Sequence, residues 1–276
     1  MKIFSFEGKN IYIFGGSSGI GLATAQQLAR MGANLFIYAR NKDRLQAATA
    51  QIENKRLVNT QKVVYMPVDI SDHHEVNKVI TTSVETYGGP DILINCAGRA
   101  YPDYFESITY EQFEETMKIN LFGVWNTIAA TLPHMKKKGG VIVNTSSVVG
   151  YIGVFGYTDY AASKFGILGL SEALRSEFRR YNISVSVLCP PDTRTAGFEV
   201  ENQTKPEETK AISKSGCILE PDQVAKELIM GISKNKKMII PGFDAKLSYY
   251  LKRWCPGLVE FVMDRTILKT QKKQAK

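Results

Sequence analysis

A tyrosine and a lysine four residues apart, Tyr160-Ala-Ala-Ser-Lys164, fall in a stretch that reads as helix, which puts both side chains on one face. A free phenol has a pKa near ~10, a poor match to neutral pH. An ammonium beside it favours the phenolate, so the pair can hand a proton to a ketone oxygen in reduction or take one from an alcohol in oxidation. A second element with chemical potential is Gly15-Gly16-Ser17-Ser18-Gly19-Ile20-Gly21, between a short apolar run and a helical pattern. Backbone that must approach a pyrophosphate closely needs positions without Cβ, and a helix start offers free N–H groups and the positive end of its dipole. A glycine cluster alone is weak evidence, because many strand–helix turns carry one for steric reasons. The strand before it and the helix after it make this turn an expected dinucleotide site, contacted by Gly15, Ser17, Ser18, Gly19, Ile20 and Gly21.

The end of the second apolar run discriminates between dinucleotides. An acidic side chain there would accept hydrogen bonds from a free ribose 2′-hydroxyl and repel a 2′-phosphate. The sequence has Ala39-Arg40-Asn41, with Lys42 and Arg44 following. Arg40 and Arg44 can supply the charge-assisted bonds that a phosphate needs, so the expected cofactor is NADPH. The plainer reading of both arginines is a solvated helix start.

An alternation of apolar runs and amphipathic stretches supplies the frame. Strands are expected at residues 11–14, 34–39, 63–68, 91–95, 140–145, 184–189 and 238–240. Helices are expected after the glycine turn as far as Met31-Gly32, and at 42–55, 71–86, about 109–135, 158–181 and 221–234, with Ser71 or Asp72 as the N-cap of the third. Continuous apolar strands between helices predict an α/β fold: a doubly wound, Rossmann-type parallel sheet of about seven strands, covered on both faces. Residues 1–242 read as one domain whose irregular insert, at about 192–217, caps the ligand crevice. Residues 243–276 form an amphipathic, basic C-terminal tail.

Composition narrows the function classes. Among 276 residues, 35 Lys+Arg against 27 Asp+Glu leave a net charge of +8 that is spread over the chain, so no nucleic-acid partner is expected. Three histidines, two of them the adjacent His73 and His74, and four cysteines (Cys96, Cys189, Cys217, Cys255) without CxxC spacing provide no metal site. His73, His74 and His134 read as surface or cap residues. The cysteine pattern fits a reducing compartment, and Glu7 interrupts any signal-peptide core, so a cytoplasmic location is expected. Residues 139–158 carry no charge over 20 positions, about the length of a span, but their five glycines and Asn144, Thr145, Ser146 and Ser147 suit a strand and loop, so no transmembrane helix is expected.

The spacing G-x-x-x-G-x-G, the run Asn95-Cys96-Ala97-Gly98 after the fourth strand, and the Y-x-x-x-K of Tyr160 and Lys164 together resemble the short-chain dehydrogenase/reductase family over about residues 9–195. The resemblance implies that Tyr160 is the proton donor or acceptor, that Lys164 also binds the nicotinamide ribose, and that Asn120 holds a water linking the lysine to solvent. It places Asp69 at the adenine and Asn95 near the adenosine ribose, and Thr195 joins the expected cofactor contacts. The family's serine precedes its tyrosine by 13 positions, which selects Ser147 as the donor that orients the carbonyl. Ser146, one residue off, would point to the other side of an extended strand and stays in reserve. Cys96 is expected to be buried rather than reactive.

Further segments resemble one branch of that family. They are Pro190-Pro191-Asp192-Thr193-Arg194-Thr195-Ala196-Gly197-Phe198, the run from Thr204 to Ser213 (TKPEETKAIS), and Phe155-Gly156-Tyr157-Thr158-Asp159-Tyr160. They resemble the 3-ketodihydrosphingosine reductases, which implies NADPH-dependent reduction of a long-chain 3-keto-2-amino alcohol. Val148, Val149, Tyr151, Ile152, Val154 and Phe155 would then line a lipid crevice or, on the plainer reading, pack their own loop. Glu199, Glu201, Glu207 and Glu208 make the insert acidic, which suits an ammonium-bearing head group, although exposed glutamates are also the default. Rival readings are a reductase or dehydrogenase for a steroid, a retinoid or a 3-oxoacyl thioester, and a non-catalytic NADPH-binding regulator. The retained Tyr160 and Lys164 speak against the last. Eukaryotic members of the branch commonly carry a hydrophobic membrane segment at the C-terminus, whereas residues 247–263 here are broken by Lys252, Arg253, Pro256 and Glu260. The tail is therefore either an interfacial helix in peripheral contact with the cytosolic face of a membrane or a helix packed on the domain. A homo-oligomer is expected.

Overall fold

Seven short strands pair in parallel in the order β3-β2-β1-β4-β5-β6-β7. They are β1 (Asn10–Phe14), β2 (Asn34–Ala39), β3 (Val63–Pro67), β4 (Ile92–Asn95), β5 (Gly140–Thr145), β6 (Ile183–Leu188) and β7 (Met238–Ile239). The computed structural model of the chain describes residues 4–275 apart from Ser215. Successive strand residues face opposite sides, so Ile11 and Ile13 of β1 join one apolar layer while Tyr12 and Phe14 join the other. Beneath the first layer lie α1 (Gly19–Ala29), α2 (Lys42–Glu53) and α9 (Pro221–Ser233). Against the second pack α3 (His73–Tyr87), α5 (Gly123–Met135) and α6 (Thr158–Glu177). Chain order reverses between β1 and β4, and ligands of open α/β sheets bind outside the carboxyl ends of strands at such a switch point.

The expected sheet is observed, with strand ends shifted by about a residue. Two other expectations need correcting, and two that were left open are narrowed. Asp72 rather than Ser71 caps α3, accepting from the His74 and Glu75 N–H groups, while the Ser71 hydroxyl donates to Asp69. The long helix expected at 109–135 is three pieces: α4 (Tyr110–Met117), a π turn at Lys118–Phe122, and α5. Apolar periodicity carries on across the wide turn, so the sequence pattern conceals it. The insert is not irregular but forms α7 (Ala196–Thr204) and α8 (Glu207–Ser213). Thr195 caps α7 by accepting from the Phe198 N–H, and Pro206 opens α8. A backbone bridge between Thr193 and Leu219 closes the insert at its base. Finally, the C-terminal segment is two helices, α10 (Phe243–Trp254) and α11 (Pro256–Gln274), packed on the domain as one of the two alternatives had it. Ala245 is buried, the Tyr151 hydroxyl donates to its carbonyl at 2.9 Å, and α11 packs on α8.

Polar side chains also enter the layers beside the site. Thr127 donates to Asn95, Asn95 to Asn144 and Asn144 to Ser171, all at 2.8–3.0 Å and all buried. Every link is hydrogen-bonded, which a buried polar chain requires and which holds α5, β4, β5 and α6 in one arrangement.

Candidate active site

The glycine turn leaves β1 at the switch point and runs into α1. A Cβ on Gly21 would stand 2.2 Å from the Gly15 carbonyl oxygen, and one on Gly15, whose φ is +81°, would stand 2.5 Å from the Ala97 nitrogen. The turn therefore closes only with glycine at both positions. Ser18 caps α1 without a side-chain hydrogen bond, and the first turn of the helix carries no acidic residue. Main-chain donors and the positive dipole end are thus left for an anion, and the cradle fits the pyrophosphate of a dinucleotide. Thr195 lies over the same turn, its methyl group 2.9 Å from where a Cβ of Gly19 would be. Arg40 and Arg44 are exposed beyond the end of β2; Arg40 stands 4.0 Å from Asp69, which also accepts from Ser71.

At the carboxyl ends of β5 and β6 the second half of the site assembles. Tyr160 and Lys164 lie one turn apart near the start of α6, with the ammonium 5.3 Å from the phenol ring centroid. Lys164 is 3% exposed and donates to the Thr145 carbonyl at 2.9 Å, which anchors the helix to the end of β5. The two serines separate cleanly. Ser146 is buried and donates to the Lys164 carbonyl at 2.8 Å, a packing role. Ser147 faces Tyr160, and its oxygen accepts from the Val149 N–H at 3.2 Å, leaving its own hydrogen to be donated. Asn120 sits in the π turn and uses both amide hydrogens, donating to the Arg99 carbonyl and to Ser163, while its oxygen accepts from the Arg99 N–H and keeps a second acceptor site. Asn120 and Lys164 flank Gly98, where a Cβ would lie 3.2 Å from the amide oxygen and 3.3 Å from the ammonium.

The electrostatics depart from the expectation that the lysine dominates the phenol. Burial, and after it the Glu201 carboxylate, push the Tyr160 hydroxyl well above its ordinary value, and the contact with Ser147 opposes them. Burial lowers Lys164 to about 8. Tyr160 accordingly holds its proton at neutral pH in this state, which suits a donor. Desolvation likewise raises the Cys96 thiol to about 11, which keeps it a thiol at neutral pH, although the residue is partly rather than fully buried.

Two further expectations are qualified by the geometry. The Asn95 side chain is committed to the buried polar chain, donating to Asn144 and accepting from Thr127. Tyr151 and Ile152 are buried in the core, whereas Val148, Val149, Val154 and Phe155 stay partly exposed between Ser147 and the insert. Sequence reasoning passed over Tyr157 and Lys205 and did not single out Glu201. Tyr157 is buried, its ring lies 5.5 Å from that of Tyr160, and its hydroxyl donates to Glu201 at 2.9 Å. Its spacing of three before the tyrosine was the available signal. Nothing in the sequence separates Glu201 from Glu199 and Glu207, which are exposed, or from Glu208, which is buried against the Tyr104 hydroxyl.

Known proteins agree with this geometry. A 3-ketodihydrosphingosine reductase of Bos taurus is 41% identical over 230 residues, 83% of this chain and 69% of its own length. The protein of the same name from Dictyostelium discoideum is 37% identical over 273 residues, 94% of this chain and 81% of its own. The crystal structure of levodione reductase superposes with a TM-score of 0.79 at 26% identity, over 87% of this chain and 99% of its own. The family described as short chain dehydrogenase matches residues 9–206, the stretch that holds the glycine turn, Ser147, Tyr160 and Lys164, and the chain belongs to that family.

Proposed function

We propose that the chain reduces the ketone of 3-ketodihydrosphingosine to the alcohol of sphinganine, with NADPH as the reductant. The observation that carries this reading is Tyr160, kept protonated beside Ser147 at the mouth of a glycine-lined dinucleotide cradle, in a chain 37–41% identical to reductases of that name. When bound, NADPH supplies the hydride that the carbonyl carbon takes up. Ser147 donates to the ketone oxygen and orients it, and Tyr160 delivers the phenolic proton to the same oxygen, completing the addition of H⁻ and H⁺ across the C=O bond. Lys164 sets the charge next to the phenol, Asn120 holds the turn that backs the lysine, and Arg40 and Arg44 take the 2′-phosphate. Thr195 closes over the glycine turn. The deciding measurement is the rate of NADPH oxidation with 3-ketodihydrosphingosine and identification of sphinganine as product, run beside a steroid ketone and a 3-oxoacyl thioester. Faster turnover of either competitor, or no sphinganine, overturns the reading.

The lysine gives a pH signature. Burial disfavours its ammonium, so in the free protein Lys164 is charged below about 8 and neutral above. kcat/KM for the dinucleotide reports groups of the free enzyme, and it should fall as pH rises through about 8. In Lys164→Arg that limb should vanish whatever the absolute rate, because a guanidinium does not titrate in this range. A limb of unchanged position in the variant would assign it to another group.

Two surfaces suit partners. Phe122 (52% exposed) and Trp125 (58%) stand out from the π turn and α5 and border a cavity of about 550 Å³ that does not include Tyr160, and Phe165 (45%) is exposed on α6 beside Gly166, which lines it. Exposed aromatics in one place mark an interface, and a second copy of the chain is the occupant we assign. On α10, Phe243, Leu247, Tyr250 and Trp254 are exposed at i, i+4, i+7 and i+11, one stripe along the helix, and Leu258, Phe261 and Val262 are exposed on α11. No helix among the described residues is long and apolar enough to cross a membrane. The stripe and the lysines of α11 instead suit an anionic membrane surface, approached from the reducing cytosolic side that four free cysteines fit. Truncation would uncover Tyr151, so the test is Phe243→Ser with Trp254→Ser. Co-sedimentation with phosphatidylserine vesicles should weaken about tenfold in the double variant. High salt should weaken binding of the parent as well. Equal binding by both forms removes the membrane contact.

A further inference from the structure

The insert brings a carboxylate to the reaction centre. Glu201 lies on the face of α7 turned toward the tyrosines, where it accepts from the Tyr157 hydroxyl at 2.9 Å, and the Tyr157 ring is 5.5 Å from that of Tyr160. Asp192, at the entrance to the insert, adds a second negative charge that both Glu201 and Tyr160 feel. Burial raises Glu201 above the ordinary carboxylate range, opposed first by the Tyr157 hydroxyl and then by Lys205, at the C-cap of α7, and Lys164, which favour its ionised form. Lys205 is 3% exposed, its ammonium lies 4.1 Å from the Phe198 ring centroid, and among the described residues it meets no hydrogen-bond acceptor.

The substrate class places a cation at this point. In a 3-keto-2-amino alcohol the amine sits on the carbon next to the carbonyl, so its nitrogen lies about 2.5 Å from the carbon that takes the hydride. With the ketone oxygen at Tyr160 and Ser147, that ammonium lies within a few ångströms of the phenol, in the neighbourhood that Glu201 also reaches through Tyr157. We propose that Glu201 pairs with the ammonium adjacent to the ketone and is the residue that selects amino ketones over plain ketones, an inference that rests on the function proposed above. The same contact cancels the carboxylate's field at Tyr160 when the amine-bearing ketone is in place, which makes the phenol a readier proton donor for that substrate than for others. Selection of this kind is strong because a partly buried carboxylate left without its cation is penalised, so ketones lacking the amine are rejected as well as less well bound.

The experiment compares the parent and Glu201→Gln on two ketones of one chain length, the 3-keto-2-amino alcohol and its counterpart lacking the amine. The amide keeps the shape and an acceptor for Tyr157 but loses the charge. kcat/KM for the amino ketone should fall by about 10- to 100-fold, the range for a hydrogen bond to a charged group, and that for the plain ketone should hold or rise. NADPH affinity, read by fluorescence, should be the same in both proteins. Equal losses on the two ketones, or none on either, overturn the assignment of Glu201 while leaving the reductase reading intact; failure of the parent on the amino ketone overturns the reductase reading and the assignment with it. Should the variant not fold, inhibition of the parent by a long-chain 2-amino alcohol and by the same alcohol without the amine decides. Clearly tighter inhibition by the amine supports the site, and equal inhibition removes it.

Discussion

Tyr160→Phe should reduce turnover of the ketone by about 10²- to 10⁴-fold, the range associated with a positioned proton donor, while NADPH affinity stays nearly unchanged. The phenyl ring keeps its place against Tyr157 and below the Lys164 ammonium, so the packing of the crevice survives. What disappears is the hydroxyl that burial and Glu201 keep protonated and that Ser147 contacts. Water is a poor replacement, because a solvent molecule in that position has no fixed orientation toward the carbonyl. Single-turnover measurement at saturating substrate separates the chemical step from product release. A variant that retains more than a tenth of the parental rate would show that another group delivers the proton.

Arg40→Asp should raise the ratio of the dissociation constants for NADPH and NADH by about 100-fold, from the loss of a charge-assisted bond and the gain of a repulsion. The structure makes this shift lopsided. Arg40 is 58% exposed on its side chain and stands 4.0 Å from Asp69, so the new carboxylate would face a second one. Repulsion between the two limits how well the variant can accept from a free 2′-hydroxyl. Most of the change should therefore be loss of NADPH rather than gain of NADH, and titrations of both dinucleotides against both proteins read the two parts separately. An unchanged ratio would mean that Arg40 does not contact the phosphate, leaving Arg44 to be tested in the same way.

Both predictions concern residues that local pattern alone brings forward. The parallel sheet was legible because its central strands are buried on both faces and so read as unbroken apolar runs between helices. The glycine turn was legible because a missing Cβ leaves its mark in composition: at Gly15 and Gly21 no other residue fits. Tyr160 and Lys164 were legible because a spacing of four on a helix guarantees a shared face, whatever the remainder of the chain does.

Properties that depend on packing between distant segments lay outside that pattern. Spacing alone favours Ser147, but that Ser146 is covered by α6 and donates to the Lys164 carbonyl is visible only in the packing. Asn95 has the residue type expected of a cofactor contact, yet neighbours 32 and 49 positions away absorb its amide. The insert's helices are short, with caps and packing partners rather than periodicity to hold them, and α8 is fastened by Thr209 donating to the Phe155 carbonyl at 2.7 Å. The C-terminal helices reveal their place only through Tyr151, a residue 94 positions away from the Ala245 carbonyl that it binds. The amino-acid sequence by itself determined the layers of the fold, the dinucleotide cradle and the tyrosine–lysine pair, since each follows from local backbone geometry. Only the tertiary structure decided the acidity of Tyr160 and which of four glutamates stands beside it, because burial and charge at a point are sums over everything folded around it.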